Sequence, residues 1–135
     1  MAGPYALYQA QILEHYKHPR NRGHLDLATH TASESNPLCG DAISLTLRVD
    51  GSERIEDVRF DGEGCAISMA SASILTEQVK GKTLAEVRAL DRETVLKNVG
   101  VPLSAVREQC ALLSLHALRR ALGARQRHIT VQFLV

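Results

Sequence analysis

The chain has 135 residues, of which 44% are hydrophobic and 23% charged, with a formal net charge of +1. Those values suit one globular domain, and with aromatics at 4% and no Trp its core must be aliphatic. No apolar run approaches the roughly 20 residues of a membrane span, and dispersed basic residues with few aromatics make a poor nucleic-acid surface, so neither membrane nor nucleic acid is expected as a partner.

Residues 5–17 predict a helix, with Leu7, Ala10, Leu13 and Tyr16 at helical spacing, stopped by His18-Pro19-Arg20-Asn21-Arg22-Gly23. The polar stretch 24–37 is turn-rich and has room for one short strand. Ile43 to Val49 and Ile55 to Phe60 alternate in polarity on either side of Asp50-Gly51, which predicts an antiparallel hairpin. After Cys65, residues 66–79 predict a helix rich in small side chains and ended by Gly81. Thr83 to Arg88 and Asp91 to Asn98 read as short helices, each opening on an N-cap residue. Residues 104–122 predict the last helix, from Ser104 to near Gly123, and 128–135 alternate like a strand. The whole, residues 1–135, is expected to be a single α+β domain. A free apolar strand at 128–135 should add to the edge of its own sheet or pair with another copy of the chain as a homo-oligomer.

The near-neutral total hides an asymmetry. Residues 1–79 carry 6 basic and 11 acidic side chains, and residues 80–135 carry 10 and 4. The basic part suits either solvated helix faces or docking of an acidic partner. The N-terminus has no basic start followed by an apolar core, so no secretory signal is expected. An odd count of 3 cysteines then points to reduced thiols and a cytoplasmic location.

Those three cysteines hold the chemistry. Cys39 lies in the turn Asn36-Pro37-Leu38-Cys39-Gly40-Asp41, too polar for a core position, with the Asp41 carboxylate two residues on. Cys65 immediately precedes a helix, whose N-terminal field favours a thiolate. Cys110 sits on a stripe with Val106, Leu113 and Ala117 that also reads as an ordinary core face. Their spacing matches no zinc-finger pattern. Brought together, Cys39, Asp41, Cys65 and Cys110 would form a Cys3Asp set for Zn2+ or for cluster iron. His15 and His18 are expected to cap or pack at a helix end. His116 is rotated about 240° from Cys110 around the helix and should not reach the same metal. Ser68, Ser71 and Ser73 have no His/Asp motif around them and are expected to serve close helix packing.

Four stretches in order resemble the U-type iron–sulfur assembly proteins, namely IscU, SufU and the N-terminal domain of NifU. They are Tyr8-Gln9-Ala10-Gln11-Ile12-Leu13-Glu14-His15-Tyr16-Lys17-His18-Pro19-Arg20-Asn21, the Cys39 turn, Gly62-Glu63-Gly64-Cys65-Ala66-Ile67-Ser68-Met69-Ala70-Ser71-Ala72-Ser73, and Arg107 to Leu118 around Cys110. The resemblance covers about 5–122 and leaves 123–135 as an atypical tail. It implies a small three-stranded antiparallel sheet covered by helices, with Cys39, Asp41, Cys65 and Cys110 converging at one end as ligands of Zn2+ or a transient 2Fe–2S cluster.

The resemblance further implies that persulfide sulfur arrives from a PLP-dependent cysteine desulfurase, with Cys39 as acceptor and Cys110 as the alternative. A cluster built there would pass to apo iron–sulfur acceptor or carrier proteins. The alternatives are a zinc-dependent sulfurtransferase of SufU type, which relays sulfur without building a cluster, and a structural zinc module. The wording around the cysteines is SufU-like, while the Cys65–Cys110 interval is IscU-like. Gln109 stands where IscU has a His, and Val101-Pro102-Leu103-Ser104-Ala105-Val106-Arg107 replaces the IscU chaperone motif.

Overall fold

In the computed structural model the backbone is described for residues 3–134 and the side chains for 3–123. The chain order is α1 (Ala6–Lys17), β1 (His30–Asn36), β2 (Asp41–Val49), β3 (Ile55–Glu63), α2 (Ala66–Val79), α3 (Leu84–Arg88), α4 (Arg92–Val99) and α5 (Ala105–Leu134). The strands form one antiparallel sheet in the order β1-β2-β3. Among the described residues no helix is long and apolar enough to cross a membrane.

The β2–β3 hairpin forms where the alternation predicts it. Asp50 Oδ1 accepts the Ser52 and Arg54 N–H groups at 2.8 and 3.1 Å, which closes the turn. The register sets Leu45 opposite Phe60 and Leu47 opposite Val58, so the inward side chains of both strands reach one core. β1 is the short strand of the polar stretch. Pairing of Asn36 with Asp41 and of Ala32 with Leu45 holds it to β2, and α5 covers β1 and β2 while α2 lies over β3.

α2 is buried along nearly its whole length. Its small side chains are what permit this: Ser71 Oγ sits close enough to α5 to donate to the Ala111 carbonyl at 2.6 Å. Ser68, Ser71 and Ser73 are all buried, as the packing reading expected. α3 opens on a capping box between Thr83 and Glu86, and α4 on Asp91, whose side chain accepts the Thr94 N–H at 2.9 Å. Ser104 Oγ accepts the Arg107 N–H at 3.3 Å at the start of α5.

The tail corrects one expectation. The strand foreseen at 128–135 is absent, because α5 continues as a helix to Leu134. Gly123 costs a helix only about 1 kcal/mol, and the Ala, Arg and Gln residues that follow propagate a formed helix readily. Pairing of chains through such a strand therefore has no basis, and what the side chains beyond 123 meet lies outside the described residues.

Candidate thiol and carboxylate site

The β1–β2 connection places the first pair of groups. Asn36 closes it, accepting the Cys39 and Gly40 N–H groups on its carbonyl at 3.2 and 2.9 Å. Its side-chain oxygen accepts the Leu38 N–H at 3.1 Å, which leaves the amide nitrogen free to donate to Cys39 Sγ at 3.6 Å. Cys39 is half-buried, whereas Leu38 beside it is 81% exposed. One residue past Gly40, Asp41 opens β2 with its carboxylate turned inward and only 3% exposed.

β3 and α2 supply the next thiol. Cys65 is the N-cap of α2 with extended backbone, and its side chain makes no capping hydrogen bond. It turns instead to Asp41: the Cys65 N–H donates to Asp41 Oδ1 at 3.3 Å, and Sγ lies 3.7 Å from Oδ2. Ser68 sits beneath, with Oγ 3.8 Å from Cys65 Sγ while donating to the Cys65 carbonyl at 3.0 Å. This approach requires Gly64, since a Cβ there would stand 2.3 Å from Ser68 Oγ and 2.9 Å from the Asp41 carboxyl carbon.

Cys110, on the second turn of α5, completes the group. It is 1% exposed and its thiol donates to Cys39 Sγ at 3.2 Å. Burial pushes the Cys110 thiol pKa far up, and its hydrogen bonds with Cys39 and Asp41 and the nearby Cys65 push the same way.

Ligand-type atoms of Cys39, Asp41 and Cys110 all lie within 4.8 Å of one another, and Cys65 joins them through Asp41. The four residues singled out in sequence therefore meet at one cleft of about 370 Å³. Arg107 lines it too, without an ion pair among the described residues. His116 is exposed on α5, and His15 packs between α1 and α2. Sequence reasoning overlooked Asn36, Gly64 and Arg107, and assigned Ser68, whose Oγ lies beside Cys65 Sγ, to helix packing alone. An Asn three residues before Cys39, and a Ser three after the helix-opening Cys65, were the available signals.

The donor set fits a thiophilic metal. Asp41 is a carboxylate buried among three sulfurs. Three sulfurs with one carboxylate oxygen match the ligand types of Zn2+ or iron.

Comparison with known proteins agrees. A Bacillus subtilis protein named zinc-dependent sulfurtransferase SufU is 50% identical over 78 residues, 58% of this chain and 52% of that one, so the match spans about half of that relative. A Drosophila melanogaster protein named iron-sulfur cluster assembly enzyme IscU is 37% identical over 123 residues, 89% of this chain and 79% of its own length. The crystal structure of a putative iron-sulfur cluster assembly scaffold protein for the SUF system from Fervidobacterium islandicum superposes with a TM-score of 0.72 at 29% identity, covering 89% of this chain and 99% of that one. The pattern of the NifU-like N terminal domain matches residues 7–131, past the point where the motif resemblance ended. The chain belongs to the NifU-like N terminal domain family.

Proposed function

We propose that this protein is an iron–sulfur cluster assembly scaffold. It accepts persulfide sulfur from a PLP-dependent cysteine desulfurase and holds a 2Fe–2S cluster, its cargo, for transfer to apo acceptor proteins. The observation that carries this reading is the meeting of three thiols and a buried carboxylate in one open cleft. A closed structural zinc module would bury its ligands, whereas Cys39 sits half-exposed beside the exposed Leu38.

The residues divide the work by position. Cys39 is the sulfur acceptor, because it is the accessible member of the Cys39–Cys110 pair and takes hydrogen bonds from Cys110 and Asn36. In the transfer, Cys39 Sγ attacks the terminal sulfur of the incoming persulfide, and the desulfurase cysteine leaves as a thiolate. Arg107 at the cleft provides positive charge for that anionic chain. Cys39, Asp41, Cys65 and Cys110 are the proposed ligands.

A second reading is favoured by the 50% identity to the zinc-dependent sulfurtransferase. In it Asp41, Cys65 and Cys110 hold Zn2+ and Cys39 relays sulfur. Bound Zn2+ would keep its cysteine ligands deprotonated and in place. Reconstitution separates the two: with Fe2+, cysteine and a desulfurase, a scaffold develops visible sulfide-to-iron absorption. A zinc-dependent relay stays colourless yet accelerates the desulfurase. A protein that does neither contradicts both readings.

A further inference from the structure

We propose that Cys110 is a resolving thiol that releases sulfide from a persulfide on Cys39, leaving a Cys39–Cys110 disulfide. This rests on the assembly reading only for the arrival of sulfur on Cys39. The geometry carries the rest. The two sulfurs stand 3.2 Å apart across 71 positions of sequence. Reacting atoms at about 3–3.5 Å are already in near-attack range, and bond formation needs closure to roughly 2.05 Å.

The direction of attack also fits. Displacement at a sulfur is in line, so the leaving sulfur must sit opposite the attacking one. Cys110 is buried and Cys39 half-exposed, and both line the same open cleft. A persulfide on Cys39 whose terminal sulfur extends into that cleft away from Cys110 meets this requirement. Cys65 is turned to Asp41 and Ser68 instead, which makes it the less suited attacker.

The step balances without another reductant. Cys110 Sγ bonds to Cys39 Sγ, and the bond between Cys39 Sγ and the terminal sulfur breaks. Its electron pair departs with the terminal sulfur, which leaves as hydrosulfide, and the Cys110 proton passes to the cleft that Cys110 also lines. The sulfane sulfur is reduced to sulfide while the cysteine pair is oxidised to a disulfide. A thiol reductant must then reopen that disulfide before the next cycle.

The test is a single turnover of the full chain with a cysteine desulfurase and one equivalent of cysteine, without reductant. Sulfide is assayed and the thiols are mapped by mass spectrometry. The expected result is sulfide release with a Cys39–Cys110 cross-linked peptide in the wild type. Cys110→Ser and Cys110→Ala should keep the persulfide on Cys39 and lose sulfide release, while Cys65→Ser should still release it. The cross-link in the wild type is read without any variant, so poor folding of a variant does not decide the matter. Persulfide that stays on Cys39 in the wild type with Cys110 reduced overturns the inference alone. Sulfur that never reaches Cys39 in any of these proteins overturns the assembly reading and the inference together.

Discussion

A methyl group at position 64 would stand 2.3 Å from Ser68 Oγ and 2.9 Å from the Asp41 carboxyl carbon. Ser68 can rotate away, but Asp41 opens a paired strand and has less freedom. Gly64→Ala should therefore turn the carboxylate out of place while the hydrophobic core, built elsewhere on the sheet, stays intact. We expect metal affinity to fall about 10- to 100-fold, the usual cost of disturbing a group that orients a ligand. Metal analysis after equilibrium dialysis checks this, with circular dichroism to confirm the fold; undiminished affinity would show that Asp41 is not a ligand held by this contact. The same carboxylate supports a prediction of opposite sign. It is a harder and more labile ligand to iron than a thiolate, so Asp41→Ala should lengthen the lifetime of a reconstituted cluster. Decay of the visible absorption measures it, and a shorter lifetime contradicts the role of Asp41 as the point of release.

β3 reaches the site because its strand ends tightly against β2. Gly62 lies opposite Ile43 with φ +145, and a Cβ there would fall 2.0 Å from the Ala42 backbone oxygen. No rotamer can relieve a clash with backbone. Gly62→Ala should destabilise the fold by at least about 1–3 kcal/mol, read as a lower urea midpoint, and a midpoint within error of wild type would refute the clash. Elements like this hairpin were legible in sequence because local chemistry specifies them. Asp50-Gly51 closes the turn, and Thr83 and Asp91 cap their helices by contacts within three residues. β1 was harder to place: His30–Asn36 is polar and has few β-branched side chains, and it is a strand because β2 offers it an edge and α5 a cover. The Cys39–Cys110 approach spans 71 positions, which no spacing rule encodes. It was anticipated only through the family-like wording around each cysteine. The tail misled for the reverse reason, since its alternating β-branched residues predict a strand in isolation but follow directly on a formed helix.

At the scale of the molecule, α1 is attached to the domain by a polar junction as much as by apolar packing. Ile12 and His15 are its buried residues. The Arg20 N–H donates to Ser73 Oγ at 2.8 Å, and the same hydroxyl is hydrogen-bonded to His15 Nδ1 at 2.7 Å. His15 Nε2 lies 3.6 Å from the Glu77 carboxylate. Burial lowers the His15 pKa from 6.5 and Arg20 adds to this, against the opposing pull of Glu77 and Glu14. A histidine with a depressed folded pKa binds fewer protons in the native than in the unfolded state. Its contribution is therefore full above about pH 6.5 and is lost as pH falls from there through the folded pKa. This window is separate from that of Asp57. Burial raises the pKa of that carboxylate, but hydrogen bonds from the Val58 N–H and Lys80, with Arg59 nearby, bring it below 3.8. Its stabilisation is thus present above about 3.8 and lost only at lower pH. We accordingly expect the melting temperature to begin falling below about pH 6.5, well before the carboxylates protonate. His15→Gln, which cannot titrate, should start from a lower melting temperature because Ser73 loses its partner. Between about pH 6.5 and pH 5 its melting temperature should be flatter than that of the wild type. Thermal unfolding of both proteins across that range is the measurement, and equal slopes would mean that protonation of His15 does not govern the docking of α1.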